Sequence, residues 1–440
     1  MDPNNEFPVI RKPWKKGQSR VAIVFPNLYR GGAYCFGQLI FYNLINNLDG
    51  WSCERRFLDY DSLEHFDLIG FTFQYELDYF NFLKITKNNK ISLEKKNRKE
   101  ALFAGGPCVT TNPMTLSEYF DFLLLGDAEA TMIKVLEAYK EKIPLGKSKF
   151  LEAIADIEGV FVPGISVKES FGKVVLDEAP HPFYQPLPVK DEKNLAFGKA
   201  FMLEIERSCP YSCNFCSIPQ MYSKFQCRPL ETIKTIVDAG VRLNQRKKIV
   251  IYSPSFMHPR RKELMEWLID KGLTFSVPSL RVEYATEDLF PLIKKGGQKT
   301  LTIAPECNES LRYTLGKKIK DGVFFTFLEN AKKHNFKKVK MYLLVGLPGQ
   351  SEKDLDEMIE FIKGAKKRFP QVYLSVNSFV AKPRTKLADH AFDKTTIKSQ
   401  LKMLKREFPE TRIKTSDLEN SHMEWKLSHA TSLGRFLKET

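Results

Sequence analysis

The second half of the chain repeats one pattern, a short apolar strand followed by a loop and a helix. The pattern recurs about six times, with strands predicted near residues 200–206, 248–253, 273–277, 299–304, 338–345 and 372–379. Strands that alternate with helices form parallel sheets, because each helix returns the chain to the same edge. The pattern therefore predicts an α/β fold with a partial (β/α)6 barrel. Such a barrel carries its chemistry on the loops after the strands, at the carboxyl-terminal rim.

The first half alternates strands and helices in the same way. Strands are predicted at Val21–Phe25, Leu68–Phe73, Ala101–Ala104 and Phe122–Leu125, with a further one near Cys53–Leu58. Polar or glycine-bearing turns follow them, at Pro26–Gly32, Gln74–Glu76, Gly105–Pro107 and Gly126–Glu129. Open parallel sheets bind ligands at the carboxyl ends of their strands. We therefore expect a Rossmann-like domain with a cofactor crevice.

Composition separates the two halves. Residues Asp177–Asn194 carry four prolines among charged residues, which is typical of a stiff linker. Just before them, Gly159–Val162 and Gly172–Leu176 flank a turn at Pro163–Gly164, which predicts a β-hairpin. The expected organisation is a basic N-terminal arm at 1–20, a Rossmann-like domain at 21–141, hairpin and linker at 142–198, the barrel at 199–385, and a C-terminal helical extension with one extra strand at 386–440.

The chain of 440 residues has a net charge of +15, which would attract nucleic acid or other anionic partners. The distribution of the charge weakens that interpretation. Lysines are spread along the sequence, and the densest run, Lys84–Lys99, lacks the interleaved aromatic residues on which single-stranded nucleic acids stack. A solvated surface is favoured over an RNA-binding face.

The sequence predicts a cytoplasmic protein without a membrane span. No stretch approaches the roughly 20 apolar residues of a transmembrane helix, and the start, Met1–Ile10, is polar. Eight cysteines are too sparse for a disulfide scaffold in a chain of this length. In a reducing compartment, a tight group of cysteines indicates a metal site instead.

Three cysteines follow the first predicted barrel strand, Phe201–Ile205, on one short loop. Cys209, Cys213 and Cys216 are spaced Cys-x3-Cys-x2-Cys. Three thiolates can each bind one iron of a cubane cluster, which leaves the fourth iron open and reactive. A zinc site would want a fourth ligand near in sequence, and no histidines are paired in that way. The spacing therefore favours an iron-sulfur cluster over zinc or buried structural cysteines.

This spacing, with the aromatic Phe215 before the last cysteine, resembles the motif of the radical SAM superfamily. The resemblance implies that Cys209, Cys213 and Cys216 hold a 4Fe-4S cluster, and that S-adenosylmethionine (SAM) chelates its open iron. It also implies that one electron, from a donor such as ferredoxin or flavodoxin, cleaves SAM to a 5′-deoxyadenosyl radical that abstracts a substrate hydrogen. The protein then excludes water and competing donors.

Further SAM contacts are implied more weakly. Ser253–Ser255 ends the second strand, where the family often has Gly-Gly-Glu for the SAM amino group, and this departure leaves the role of Ser253 open. Glu306 and Arg312 follow the fourth strand and are expected to contact the SAM ribose and carboxylate. Gly346 lies in the turn after the fifth strand and is expected near the adenine. Each position has an ordinary turn or a surface ion pair as its alternative.

The order of the two halves resembles the cobalamin-binding-domain radical SAM proteins, most closely an uncharacterised subgroup. The likeness rests on Arg20–Tyr29, Gly70–Leu77, Ala104–Cys108, Gly126–Glu129 and Gly297–Glu306. In that family a histidine after the first strand can ligate cobalt, but Pro26–Gly32 contains none. Cobalamin would have to bind without it, through Thr72, Gly105 and Gly106. A domain that kept the fold and lost the cofactor is the open alternative.

Among the other cysteines, Cys307 stands apart because it should follow the fourth strand on the active rim. A hydrogen donor or ligand and a purely structural residue are its two interpretations, and the second is favoured because free cysteines are usually buried.

Three functions are compatible with the sequence. The first is a radical SAM enzyme, with cobalamin-assisted C-methylation of a small molecule, lipid, peptide or RNA as one form of the reaction. The second is an RNA-modifying enzyme of the methylthiotransferase type, which the basic charge favours. The third is an iron-sulfur electron carrier or sensor, against which the open three-cysteine site argues, since carriers normally close their clusters with four protein ligands.

Overall fold

The N-terminal sheet has six strands, all but one of them parallel. The computed structural model describes residues 5–10, 17–190, 194–222 and 224–439. The elements of the first part are β1 (Glu6–Phe7), β2 (Ser19–Phe25), α1 (Tyr29–Gly32), α2 (Phe36–Asn46), β3 (Trp51–Phe57), β4 (Leu68–Thr72), α3 (Asp78–Asn88), β5 (Ala101–Gly105), α4 (Pro107–Thr111), β6 (Phe122–Leu124), α5 (Glu129–Lys142), α6 (Lys147–Ile154) and β7 (Val160–Phe161). The strand order is β3-β2-β4-β5-β6-β7.

The core of this domain lies on both faces of the sheet. Strands β4 and β5 are buried along nearly their whole length, as expected for parallel strands covered by helices on both faces. One apolar cluster contains α3 residues and the other contains residues of α2, α5 and α6. The five predicted strands and the Rossmann-like architecture are confirmed.

The predicted β-hairpin is wrong. Strand β7 pairs antiparallel with β6 instead of with residues 172–176, and Gly172 bridges to Gly126. The reason is burial: β6 has a free edge, and Val160 and Val162 become 1% exposed by covering the apolar residues beside it. A hairpin of the two segments alone would have left these valines in water.

The proline-rich segment packs against both parts of the chain. Its strand β8 (Leu187–Pro188) pairs with β1. Gln185 exchanges hydrogen bonds with the backbone of Met202, at 2.7 and 2.8 Å. Tyr184 is bonded to Asn43 of α2. The predicted linker therefore has fixed contacts, and of the predicted N-terminal arm, residues 1–4 and 11–16 lie outside the described residues.

The second part of the chain forms an open barrel. Its elements are β9 (Ala200–Glu204), β10 (Glu206–Arg207), α7 (Ile218–Met221), β11 (Gln226–Cys227), α8 (Leu230–Asn244), β12 (Lys248–Tyr252), α9 (Arg261–Asp270), β13 (Thr274–Ser276), α10 (Leu289–Lys295), β14 (Thr300–Glu306), α11 (Glu309–Thr314), α12 (Asp321–Lys333), β15 (Lys338–Val345), α13 (Glu352–Arg368) and β16 (Gln371–Ser378). All six predicted strands are present, so the partial barrel is confirmed.

The barrel strands form two parallel sheets rather than a closed ring. One has the order β13-β12-β9 and the other begins β14-β15-β16, with a single bridge between Leu280 and Ile303. One continuous apolar core joins both sheets to the surrounding helices. The predicted capping box starts α13, where Ser351 and Asp354 bond to each other's backbone N–H.

The C-terminal extension returns to the N-terminal domain. It consists of α14 (Lys394–Glu407), β17 (Ile413–Thr415), α15 (Leu418–His429) and α16 (Leu433–Glu439). Strand β17 adds to the edge of β16, which confirms the extra strand. Leu427 and Leu433 enter an apolar cluster of the N-terminal domain. Throughout the described residues, every helix is too short or too polar to cross a membrane.

Candidate active site

A cavity of about 620 Å³ lies between the N-terminal sheet and the barrel sheet β13-β12-β9. One wall consists of residues at or just after the ends of β2, β4, β5 and β6, and the other of residues at or after the ends of β9, β12 and β13. Parallel strands end at one edge, so this arrangement collects the loops that both folds use for ligands. The cavity is the candidate active site.

Thr72, Gly105 and Gly106 line the N-terminal wall, so the structure brings the three candidate cobalamin residues together. Gly106 has φ +101°, and a Cβ atom there would lie 2.6 Å from the carbonyl oxygen of Phe73. Only glycine fits this turn, because the conformation is strained for other residues and the backbone is too close. The turn therefore presents bare backbone to the cavity.

Glu206 is a cavity residue that the sequence analysis missed. It is 1% exposed, at the start of the cysteine loop. Its carboxylate accepts hydrogen bonds from the hydroxyls of Ser253 (2.5 Å) and Ser255 (2.8 Å) and from the backbone N–H of Met257 (2.8 Å). Ser253 thus reaches the cavity together with a carboxylate. Among the described residues, Glu206 forms no ion pair, so its charge is stabilised by neutral donors only.

Arg207 joins the two domains and was also missed. Its guanidinium lies 2.9 Å from Asp127, 2.8 Å from Glu129 and 2.9 Å from Glu204. Burial lowers the pKa of Arg207, but the carboxylates of Glu129 and Glu204 outweigh it and raise the pKa above its ordinary value. The only sequence signal for Glu206 and Arg207 is their position directly before the cysteine motif.

The cysteine loop is closed at its base by a short antiparallel ribbon. Strand β10 precedes the loop and pairs with β11 after it. The loop is also tied to the segment after α11: Asn214 donates from its backbone to the carbonyl of Leu315 and from its side chain to that of Thr314, both at 2.9 Å. Gly316 lies beside it, where an added Cβ would be 3.7 Å from Cys213. These contacts hold the three cysteines on one loop at the barrel rim.

The donor set of this loop fits an iron-sulfur cluster. All three thiols are partly exposed and unpaired. The pKa of Cys216 is raised to about 11. Burial is the largest cause, the neighbouring Cys213 and Cys209 also raise the pKa, and a hydrogen bond from the backbone N–H of Ile218 lowers it. Three groups converging on one metal ion occur nowhere in the described residues. A cubane does not require such convergence, because each thiolate binds its own iron.

Glu306 lies beside the cysteine loop, whereas the side chain of Arg312 is buried among backbone carbonyls. Glu306 is paired with Lys317 at 2.9 Å. Burial is the largest cause that raises the pKa of Cys213; the charge of Glu306 also raises this pKa, and the charge of Lys317 lowers it. Arg312 is 0% exposed, and its guanidinium donates to the carbonyls of Pro305 and Ile319 and to Asp321, among others. The side chain of Arg312 therefore holds the loop after β14, and its expected contact to SAM stays a prediction.

The remaining candidates, Gly346 and Cys307, directly follow strands β15 and β14. Gly346 has φ +75°, and its N–H donates to the side chains of Gln350 and Gln400. Cys307 is 0% exposed in an apolar cluster against which Phe215 packs. The burial of the thiol favours the structural interpretation of Cys307 over a hydrogen donor or ligand.

Two family models match the chain. The model described as "Radical SAM proteins, N-terminal" matches residues 59–163, and the model "Radical SAM superfamily" matches residues 203–362. The second match contains the three cysteines of the loop.

Solved structures share the whole architecture. The radical S-adenosylmethionine methyltransferase TsrM from Kitasatospora setae, with tryptophan and a SAM analogue bound, superposes with a TM-score of 0.62 at 13% identity and covers 84% of this chain and 75% of its own. The cobalamin-dependent radical enzyme OxsB, with aqua-cobalamin bound, gives 0.58 at 14% identity over 78% of this chain and 52% of its own. At such identities the likeness shows the fold.

Relatives in sequence span much of the chain. An uncharacterized methyltransferase, PH0819 of Pyrococcus horikoshii, is 25% identical over 68% of this chain and 64% of its own. A putative methylthiotransferase of Methanocaldococcus jannaschii, MJ0865, is 27% identical over 46% and 43%. An uncharacterized protein of the same organism, MJ0966, is 34% identical over 397 residues, which are 88% of this chain and 84% of the relative. With the two family models, this relative shows that the chain belongs to the radical SAM superfamily, whose enzymes use a 4Fe-4S cluster and SAM.

Proposed function

We propose that this radical SAM enzyme binds cobalamin in the cavity between its domains and methylates a carbon of a small-molecule substrate. One observation carries the proposal. A single cavity is lined by Thr72, Gly105 and Gly106 of the N-terminal sheet and by Glu206 and the residues leading into the cysteine loop. A cofactor on the N-terminal wall would therefore face SAM held at the barrel rim across the same cavity.

Cys209, Cys213 and Cys216 are the proposed cluster ligands. When bound, the cluster and SAM supply the electron and the adenosyl or methyl group, as in the rest of the superfamily. The chain's own part is to keep the loop in place through the β10–β11 ribbon and the Asn214 contacts. The partly exposed loop also lets an electron donor approach, and we propose an acidic carrier such as ferredoxin or flavodoxin for this basic protein.

Glu206 and Ser253 are proposed to bind the ammonium group of SAM. A carboxylate that is 1% exposed and lacks a cationic partner in the described part of the chain is costly to bury. A ligand ammonium at hydrogen-bond distance would offset that cost. Glu206 would then provide, from the first strand, the carboxylate that many members of the family have after the second. Glu306 is a second candidate for SAM, and Phe215 and Gly346 are proposed to support its site.

Cobalamin is proposed to bind without a protein imidazole on cobalt. The loop Pro26–Gly32 has no histidine, and Gly31 from it lines the cavity. Gly105 and Gly106 let the backbone approach a large ring closely. All eight cysteines of the chain are unpaired, which suits work in the reducing cytoplasm.

The test uses anaerobically reconstituted protein with added hydroxocobalamin. We expect about four irons per chain, corrin absorbance retained after gel filtration, and S-adenosylhomocysteine or 5′-deoxyadenosine formed from SAM under a strong reductant. Gly105→Val is expected to reduce corrin retention while iron is unchanged, and changing all three cysteines to alanine to remove the iron alone. Full corrin retention in Gly105→Val would show that cobalamin is not bound where we place it.

Methylthio transfer is the second candidate, because relatives named methylthiotransferases match part of the chain, among them the ribosomal protein uS12 methylthiotransferase of Dechloromonas aromatica. The basic charge of this chain favours RNA over a ribosomal protein as the acceptor. These matches cover less than half of this chain and about half or less of each relative. Incubation of the same protein with bulk transfer RNA and labelled SAM separates the two: methylthio-modified nucleosides would favour sulfur transfer, and label confined to small molecules would favour the first proposal.

A further inference from the structure

The walls of the cavity carry more negative than positive charge, although the chain as a whole is strongly basic. The cavity is lined by the carboxylates of Asp127, Glu129, Glu204 and Glu206 and by the guanidinium of Arg207. Arg228 pairs with Glu204 at 3.1 Å from behind the wall. Even with Arg228 included, the described residues of the wall and the cations paired with them leave two negative charges in excess. An anionic ligand placed there would lose its hydration and meet repulsion.

Bound SAM does not reverse this balance. Its ammonium and sulfonium are positive and its carboxylate is negative, so it brings one net positive charge to an excess of two negative ones. One further detail marks the N-terminal side. The Oε1 atom of Glu129 is buried and accepts no hydrogen bond of good geometry, although it lies near Arg207. An additional donor or cation from a ligand would satisfy it.

The apolar part of the wall includes nine aromatic side chains, which are Phe25, Tyr34, Phe36, Phe41, Phe71, Phe103, Phe197, Tyr222 and Tyr252. Tyr252 is the most informative of these residues. One face of its ring stacks on Phe36, with centroids 5.1 Å apart and planes 18° apart. The side chain nevertheless exposes 44% of its surface, at the cavity. A flat ring left bare inside a cavity is a platform on which a planar ligand can stack.

We propose that the substrate of this enzyme is a planar aromatic molecule that is neutral or cationic, stacked on Tyr252 and excluded from carrying net negative charge by the carboxylates of the wall. This inference rests on the proposed function, of which it names the substrate class. It also separates the two candidate reactions, because an RNA substrate brings phosphates toward an acidic cavity.

The test is a charge-graded set of ligands with one ring system: 1-naphthylmethylamine, 1-naphthaleneacetamide and 1-naphthaleneacetate. Their binding to the cluster-containing protein with SAM is measured by equilibrium dialysis and naphthalene fluorescence. We expect the amine and the amide to bind at least about tenfold more tightly than the acid. Equal or tighter binding of the acid, or displacement of the amine by transfer RNA, would overturn the inference.

Two variants locate the effect. Tyr252→Leu is expected to weaken the amine and the amide by about tenfold, whereas Tyr373→Leu, on barrel strand β16 away from the cavity, leaves both unchanged. Glu129→Gln is expected to shift the ratio of amine to acid binding about tenfold toward the acid without changing the amide. Glu137→Gln, an exposed position on the same helix, is its control. No change in Tyr252→Leu would remove the stacking site.

These measurements need no turnover. If the protein binds the amine and the amide as expected but produces neither 5′-deoxyadenosine nor S-adenosylhomocysteine, the proposed reaction fails and the substrate class stands. If it turns SAM over and shows no preference against the acid, the reaction stands and the substrate class fails.

Discussion

Glu206 illustrates how one buried side chain can organise a cofactor loop. Its carboxylate bonds to Ser253, Ser255 and Met257, so it fixes the turn after β12 directly beside the cysteine loop. A charge held only by neutral donors is stabilised in part, and hydrogen bonds to a charged group are worth about 1.5–3 kcal/mol each. The residue that removes the charge and keeps the shape, glutamine, is therefore the informative replacement.

We expect Glu206→Gln to raise the KM for SAM by about tenfold or more, because the ammonium would lose a charge-assisted bond worth roughly 1.5–3 kcal/mol. The iron content should be unchanged, since none of the three cysteines is altered. Glu263→Gln, on α9 and away from the cavity, is the control. An unchanged KM for SAM with a lowered melting temperature would assign Glu206 a purely structural role.

Asp78 gives a prediction on pH. It is 2% exposed at the start of α3, and burial raises its pKa to about 6, against the lowering by hydrogen bonds from Asn27 and Asn81. The folded protein thus binds this proton more tightly than the unfolded chain, and the associated stability is lost as the pH rises through about 6.

The Asp78→Asn variant has no carboxyl group at this position, so it does not lose this stability as the pH rises. Its free energy of unfolding, relative to that of the wild type, should therefore increase by about 1 kcal/mol from about pH 5 to about pH 7.5. Urea unfolding at the two pH values measures the difference. A constant difference between variant and wild type would contradict the raised pKa.

At the scale of residues, the sequence predicts the site only where spacing carries the chemistry. The cysteine triplet and Gly105-Gly106 are recognisable from neighbours in the chain. Glu206 and Arg207 are ordinary charged residues until the fold buries them against the loop after β12 and against β6. The burial of Arg312 among backbone carbonyls is not predictable for the same reason, because whether an arginine reaches a ligand or carbonyl groups depends on the tertiary structure.

At the scale of elements, the alternation of apolar runs with helical patterns is sufficient to predict the strands. The runs are buried on both faces in β4 and β5, whereas buried and partly exposed residues alternate in β14 and β15. The region 159–176 was not predictable in this way. Two short apolar segments can pair with each other or with an existing sheet edge, and only the presence of β6 decides between these.

The turn after β5 provides the prediction at this scale. Gly106→Ala should lower the free energy of unfolding by at least about 2 kcal/mol, because φ is +101° and the new Cβ would press on backbone atoms of Phe73. Gly105→Ala is the matched control: its Cβ would meet Leu124 at 3.5 Å, an ordinary contact. Chemical unfolding of both variants measures the gap, and equal stabilities would show that the turn relaxes.

At the scale of the whole molecule, the position of the domains could not be derived from sequence. The ends of the two sheets meet across one cavity because Arg207 of the barrel reaches Asp127 and Glu129 of the N-terminal domain, and because the C-terminal helices pack on that domain. The contact of Arg207 with Asp127 joins residues 80 positions apart. Fold likeness to two-domain relatives agrees with this arrangement, but the individual ion pairs belong to this chain.

Removing Arg207 tests how far these ion pairs hold the domains together. Arg207→Met leaves the buried carboxylates of Glu129 and Glu204 without this guanidinium, and in the described part of the chain only Glu204 keeps a second one, from Arg228. Loss of one partner from a buried network costs about 3–5 kcal/mol. We expect a fall of that size in the free energy of unfolding, measured in urea. Combining Arg207→Met with Glu129→Gln should recover part of it, because among the described residues Glu129 pairs with Arg207 alone and its uncompensated charge is removed. Lys234→Met, which breaks an exposed pair with Glu231, should cost less than about 1 kcal/mol. A fall below about 1 kcal/mol for Arg207→Met would show that apolar packing of the C-terminal helices, and not this network, fixes the domains around the cavity.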